Sequence, residues 1–123
     1  GIQKINRTYH KYLLHQRAPT VAMNSSRLDL LHGRNGPLWY RGYFLDRDFD
    51  VRDIDKILNK LEAKHLVVGH TSFNAIKRYF GDRVFAVDSS IKFGSIGELL
   101  LIDNGVFQRG TLTGEALDIE VMK

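Results

Sequence analysis

The sequence predicts an α/β domain in which covering helices pack on a mixed β-sheet. Two observations carry this prediction. Helical periodicity dominates the first half of the chain, whereas short runs of Val, Leu, Ile and Phe recur in the second half. In addition, Asn104-Gly105 separates two such runs, and an Asn-Gly pair in that position is a strong signal for a β-hairpin. Helices that precede strands, with one strand–helix–strand passage between them, are typical of a layered α/β or α+β domain.

Three helices are predicted before the first strand. Residues 2–14 place apolar side chains three and four positions apart, with basic residues between them. A short helix is expected over 25–31. The pattern is clearest over 51–63, where Asp50 is suited to the N-cap and one apolar stripe runs along the helix. The members of that stripe are Val51, Ile54, Ile57, Leu58 and Leu61.

The second half predicts strands, one short helix and the hairpin. The predicted strands cover 65–70, 83–88, 98–103 and 106–112. Between the first two, Ser72 is expected to begin a helix that turns Phe73, Ile76 and Phe80 inward.

Length and composition favour one folding unit over residues 1–123. The chain has 123 residues, is 43% hydrophobic and shows no linker-like stretch. It contains no cysteine, which excludes a disulfide framework and agrees with a cytoplasmic location. No apolar run reaches the roughly 18 residues of a membrane span. The net charge of +4 is scattered along the chain, so neither a membrane nor a nucleic-acid partner is expected.

Two stretches are candidates for a functional site. His70 ends the predicted strand over 65–70, and open α/β sheets bind ligands at the carboxyl ends of their strands. A lone histidine there can equally be a structural residue. The loop over 33–44 combines glycines with the only tryptophan, so it is either a ligand-binding loop or an ordered loop over the core. Asn35, Trp39, Tyr40 and Thr71 are the candidate pocket-lining residues.

Four blocks in this order resemble the C-terminal half of the calcineurin-like metallophosphoesterases. They are Gly36-Pro37-Leu38-Trp39-Tyr40-Arg41-Gly42-Tyr43, Leu66-Val67-Val68-Gly69-His70-Thr71, Arg83-Val84-Phe85-Ala86-Val87-Asp88 and Gly97-Glu98-Leu99-Leu100-Leu101-Ile102. The resemblance extends over residues 33–110 and is greatest to the bacterial serine/threonine-phosphatase-like branch. It implies a partial fold of that family.

The resemblance also implies a chemistry. It makes His70 a ligand in a site for two divalent metal ions of the Mn, Fe or Zn type, and Arg41 a contact to the substrate phosphate. Two metals would activate a water and hold the phosphoryl oxygens, and a guanidinium would add a bidentate contact. The full-length parent would then hydrolyse a phosphomonoester or a phosphoprotein.

The chain departs from that family in ways that affect the expected function. The metal-binding blocks G-D-x-H-G, G-D-x-x-D-R-G and G-N-H-E are absent, and Ser90 stands where the family usually has glycine. We therefore expect a C-terminal fragment that is inactive by itself, binds no metal alone and self-associates through the face left by the missing half. The alternative is a stand-alone, non-catalytic module that binds an anion or a partner. The sequence leaves the substrate and the metal open.

Overall fold

The computed structural model describes residues 1–17, 25–94 and 97–123. These residues separate into two compact units, Gly1–Leu45 and Asp46–Lys123.

The first unit is helical. Helix α1 covers Ile2–Arg17, α2 covers Ser25–His32 and α3 covers Gly42–Leu45. The rings of Tyr9 and Tyr12 pack against His32, with centroids 6.0 and 4.8 Å from the imidazole. The two longer helices were predicted from periodicity and are confirmed. Helix α3 is one short turn that overlaps the end of the segment 33–44, which was predicted to be a loop.

The second unit begins with helix α4, Val51–Leu61. Asp50 caps it, because its carboxylate accepts the amide hydrogens of Arg52 and Asp53, while the Asp53 side chain accepts the amide hydrogen of Asp50. This reciprocal capping box satisfies amides that have no partner within the helix. Of the predicted apolar stripe, Ile54 and Leu58 are buried, whereas Val51 is 41% exposed. The helix ends before the predicted position 63 because Glu62 adopts a left-handed conformation with φ 54°.

A four-stranded mixed sheet forms the centre of this unit. Its strands are β1 (Leu66–Val68), β2 (Lys77–Tyr79), β3 (Val84–Ala86) and β7 (Glu120–Val121), in the spatial order β1-β3-β2-β7. Strands β1 and β3 are parallel, β2 and β3 antiparallel, and β2 and β7 parallel. Every residue of β3 is buried, which agrees with the continuous apolar run in its sequence.

The prediction of a helix that begins at Ser72 is wrong. Residues 77–79 form strand β2, and Phe80 and Gly81 turn the chain with positive φ angles of 55° and 69°. The apolar spacing fits a helix, but an isolated helix of that length is marginal. Pairing with the buried strand β3 satisfies the backbone instead, so tertiary context overrides the local pattern.

A second sheet contains the hairpin. Strands β4 (Glu98–Asp103), β5 (Val106–Thr111) and β6 (Ala116–Leu117) are antiparallel neighbours. Asn104 and Gly105 have φ angles of 47° and 82°, and a two-residue turn of this type requires both to be positive. The predicted hairpin is confirmed.

The two sheets share one apolar core. Its buried members are Ile76, Phe85 and Ile119, and the partly buried Val87, Leu100 and Phe107 pack against them. The rings of Phe85 and Phe107 stack with centroids 4.5 Å apart, which joins the hairpin to the mixed sheet.

Candidate functional site

The carboxyl ends of β1 and β3 bring two polar segments to one edge of the mixed sheet. Because the strands are parallel, the residues that follow Val68 and those that follow Ala86 leave the sheet at the same edge. A hydrogen bond from the Val87 amide to the Val68 carbonyl oxygen, 2.9 Å long, extends the pairing beyond the strands. His70 and Asp88 therefore occupy the edge at which α/β sheets bind ligands.

His70 is exposed and its backbone is in an uncommon conformation. Its φ is 73°, and the Thr71 amide donates to the Gly69 carbonyl oxygen across it at 2.9 Å. A hydrogen bond between residues two positions apart, with a positive φ at the residue between them, defines a form of γ-turn that is rare and strained. Strain of this kind is often found at functional sites.

Beside His70, Ser72, Asp88 and Lys92 form a polar triangle. The Ser72 hydroxyl donates to Asp88 Oδ2 at 3.1 Å and accepts from Lys92 Nζ at 2.8 Å. Lys92 Nζ lies 3.7 Å from Asp88 Oδ2. A hydrogen bond from the Ser90 amide, then the Ser72 hydroxyl and the Lys92 charge, hold the pKa of Asp88 below its usual value, against the opposing effect of desolvation. Asp88 therefore favours its ionised form, and its hydrogen bonds link the segment that follows β1 to the segment that follows β3.

Ser90 adopts the conformation that a glycine would favour. Its φ is 65°, its amide donates to Asp88 Oδ1 at 3.1 Å and its hydroxyl donates to the Phe73 carbonyl oxygen at 2.6 Å. The Phe73 amide in turn donates to the Asp88 carbonyl oxygen at 2.8 Å. These hydrogen bonds offset the cost of a side chain in the left-handed region. Ser90 therefore occupies a turn of the kind that glycine favours.

A buried network supports the segment from the side of the hairpin. The hydroxyl of Ser89, a residue that is 2% exposed, accepts the Glu98 amide hydrogen at 2.9 Å. One Glu98 carboxylate oxygen accepts the Ile76 amide hydrogen at 2.7 Å, and the other pairs with the Arg109 guanidinium at 2.6 Å. Sequence reasoning missed Ser89, Glu98 and Arg109. The available signal was a glutamate at the start of a strand whose next four residues are apolar.

In the first unit, the predicted loop is shaped by its glycines. A Cβ on Gly36 would overlap the carbonyl oxygens of Leu30 and Leu31, and a Cβ on Gly42 would overlap the Tyr40 ring. Tyr40 and Tyr43 pack edge to face with centroids 4.8 Å apart. Burial, followed by the neighbouring Tyr40, raises the pKa of Tyr43. These two glycines thus permit close contacts within the protein itself.

The predicted site residues are divided between the two units. Arg41, Asn35, Trp39 and Tyr40 belong to the first, where Arg41 is exposed and directly precedes helix α3. His70 and Thr71 belong to the second. The roles assigned to these residues remain predictions.

The candidate residues do not form a recognisable metal centre. Among the side chains that the structure describes, no group of three His, Asp or Glu residues could hold a metal ion.

Comparison with known proteins finds solved structures only. No family model matches the chain, and neither does a curated protein. A structure of the cold-active protein-tyrosine phosphatase of a psychrophile, Shewanella sp., is 38% identical with a TM-score of 0.75, and the match covers 96% of this chain. A second structure of a cold-active protein tyrosine phosphatase is 38% identical with a TM-score of 0.76 over 94% of this chain. The chain spans 35% and 33% of the lengths of these two proteins.

These matches correct the family predicted from the sequence. The similar structures are described as protein-tyrosine phosphatases and not as calcineurin-like metallophosphoesterases, so the predicted family is contradicted. The mixed α/β architecture is confirmed, whereas a specifically calcineurin-like fold is not supported.

The predicted cofactors are contradicted as well. Tyrosine phosphatases as a class use no divalent metal ions, which argues against the two ions predicted for the parent protein. The metal-ligand role of His70 was derived from that two-metal site and is not carried further.

No helix in the described part of the chain is both long enough and apolar enough to cross a membrane.

Proposed function

We propose that this chain is part of a phosphatase that hydrolyses phosphotyrosine in proteins. The observation that carries the proposal is the match to cold-active tyrosine phosphatases over 96% of this chain at 38% identity. Since the chain spans only about a third of those proteins, we propose that it contributes part of the substrate site.

Arg41 is the proposed phosphate-binding residue of the first unit. Its guanidinium is permanently charged and can donate two parallel hydrogen bonds to two phosphoryl oxygens. Its position directly before helix α3, on an exposed part of the glycine-shaped loop, supports this role. Phosphoryl transfer depends mainly on positioning and charge stabilisation, which is what such a contact supplies.

His70 is the proposed polar contact of the second unit. An imidazole can donate a hydrogen bond to a phosphoryl oxygen or deliver a proton to the leaving phenolate oxygen. The exposed, strained position of His70 at the edge of the sheet supports this role. The Ser72–Asp88–Lys92 triangle would hold that edge in place.

The test is a titration of the 123-residue chain with phosphotyrosine and with inorganic phosphate, followed by NMR amide shifts. We expect saturable binding without turnover. Arg41→Ala should weaken phosphotyrosine binding about 10- to 150-fold, since a charge-assisted hydrogen bond contributes on the order of 1.5–3 kcal/mol. Lys60→Ala on helix α4 is the matched control, because it also removes an exposed cation.

Two outcomes would contradict the proposal. One is the absence of saturable binding of either ligand to the wild-type chain. The other is equal weakening by Arg41→Ala and Lys60→Ala, which would mean that only net charge attracts the anion. A stand-alone anion-binding module would give that second result and would show no preference for phosphotyrosine.

A further inference from the structure

An exposed aromatic residue lies beside the candidate site. Phe93 is 71% exposed and Ile91 is 63% exposed, and both belong to the single 3-10 turn Ile91–Phe93 that follows Ser90. Neither belongs to the apolar core cluster of the second unit. A large aromatic side chain that is exposed beside a polar edge is a candidate for ligand contact.

The turn that carries Phe93 is firmly held. The Phe93 amide donates to the Ser90 carbonyl oxygen at 2.9 Å, and the Gly94 amide donates to the Ile91 carbonyl oxygen at 3.0 Å. Ser90 before the turn and Gly94 after it both have positive φ, at 65° and 77°. An aromatic ring on such a turn is preorganised, so a ligand that contacts it loses little conformational entropy.

Lys92 connects this ring to the polar triangle. Its Nζ lies 5.3 Å from the centroid of the Phe93 ring, within the range of a cation–π contact. The same Nζ is 2.8 Å from the Ser72 hydroxyl. A cation thus lies between an exposed aromatic face and the segment that carries His70.

We propose that Phe93 binds the aromatic ring of the substrate and thereby favours phosphotyrosine over phosphoserine. The proposal rests on the phosphatase function proposed above and assigns its specificity to this turn. A tyrosyl phosphate combines an apolar ring with an anion, and the ring can pack on Phe93 while the phosphate lies toward the polar edge. A seryl phosphate has no ring and gains nothing from this surface.

The experiment compares Phe93→Ala, Phe93→Trp and the control Val106→Ala, which removes another exposed apolar side chain at the hairpin. Each full chain is titrated with phosphotyrosine, phosphoserine and inorganic phosphate. We expect Phe93→Ala to weaken phosphotyrosine binding about 3- to 10-fold, the size of one aromatic contact. Binding of phosphoserine and inorganic phosphate should be unchanged, and Phe93→Trp should restore the preference.

The possible results distinguish a failure of this inference from a failure of the proposed function. If the wild-type chain binds none of the three ligands, both are overturned. If it binds phosphotyrosine and Phe93→Ala leaves its preference over phosphoserine intact, the phosphatase proposal stands and the role of Phe93 is overturned. An equal loss in Val106→Ala would also overturn it, since the effect would then not be local.

Discussion

Replacement of Glu98 tests the network that supports the candidate site. The Glu98 side chain is only 8% exposed, and its two carboxylate oxygens serve different partners, the Ile76 amide and the Arg109 guanidinium. Glu98→Ala leaves both partners without this acceptor. Glu98→Gln keeps an oxygen for the Ile76 amide but removes the charge opposite Arg109.

The expected magnitudes follow from these contacts. An unsatisfied buried amide costs about 1–3 kcal/mol. The Arg109 side chain is 26% exposed, so this ion pair is intermediate between an exposed pair and a buried one. Loss of the ion pair therefore adds about 1 kcal/mol to the destabilisation. We therefore expect Glu98→Ala to lower the free energy of unfolding by about 3 kcal/mol and Glu98→Gln by about 1–2 kcal/mol.

Urea unfolding followed by circular dichroism measures these changes, provided that the slope with denaturant stays constant. The matched control is Glu62→Gln, which removes an exposed carboxylate and should change stability by less than about 0.5 kcal/mol. Combining Glu98→Ala with Arg109→Ala should cost about 1 kcal/mol less than the sum of the single changes. A loss below about 0.5 kcal/mol for Glu98→Ala would refute the argument that this carboxylate is structurally required.

Three further predictions concern the residues at the edge of the sheet. Because the φ of His70 is 73°, His70→Gly should be about 1 kcal/mol more stable than His70→Ala in urea unfolding, and equal stabilities would contradict the strained backbone. Ser90→Ala removes the hydroxyl bond to Phe73 but keeps the positive φ, so it should cost about 1 kcal/mol, while Ser90→Gly should cost less. The pKa of Asp88 is lowered on folding, so the unfolded chain binds more protons near that pKa. The stability that Asp88 contributes is fully present above the unfolded pKa of about 4 and is lost as the pH falls through the lower folded value. Urea midpoints measured from about pH 6 to pH 3 should therefore fall more steeply in the wild type than in Asp88→Asn, and parallel profiles would rule this out.

Local chemistry made several elements predictable. Helix α4 begins where Asp50 can cap it, and the β4–β5 hairpin turns where Asn104-Gly105 permits two positive φ angles. Both signals act between residues a few positions apart, so they are visible in the sequence without knowledge of the rest of the fold. The sequence also indicated that His70 closely follows a strand, although β1 ends two residues before it, at Val68.

The family and its metals were not predictable from short motifs. A Gly-His-Thr block after a strand specifies a backbone environment, but it does not specify the chemistry that the imidazole performs. Blocks that resembled a metallophosphoesterase in order and spacing instead belong to a chain similar to protein-tyrosine phosphatases. The likeness extends over nearly the whole chain, whereas each motif covers a few residues.

By itself the sequence determined helices α1, α2 and α4, the hairpin and the edge of the sheet at which His70 lies. Only the tertiary structure decided that residues 77–79 form a strand, because the buried strand β3 offers backbone partners that outweigh a helical pattern. It also decided the contacts around His70. Ser72 meets Asp88 and Lys92 across 16 and 20 positions, and Glu98 meets Ile76 across 22. The first two contacts depend on the parallel pairing of β1 and β3, and the contact of Glu98 depends on how the two sheets pack. No local pattern of residues encodes either arrangement.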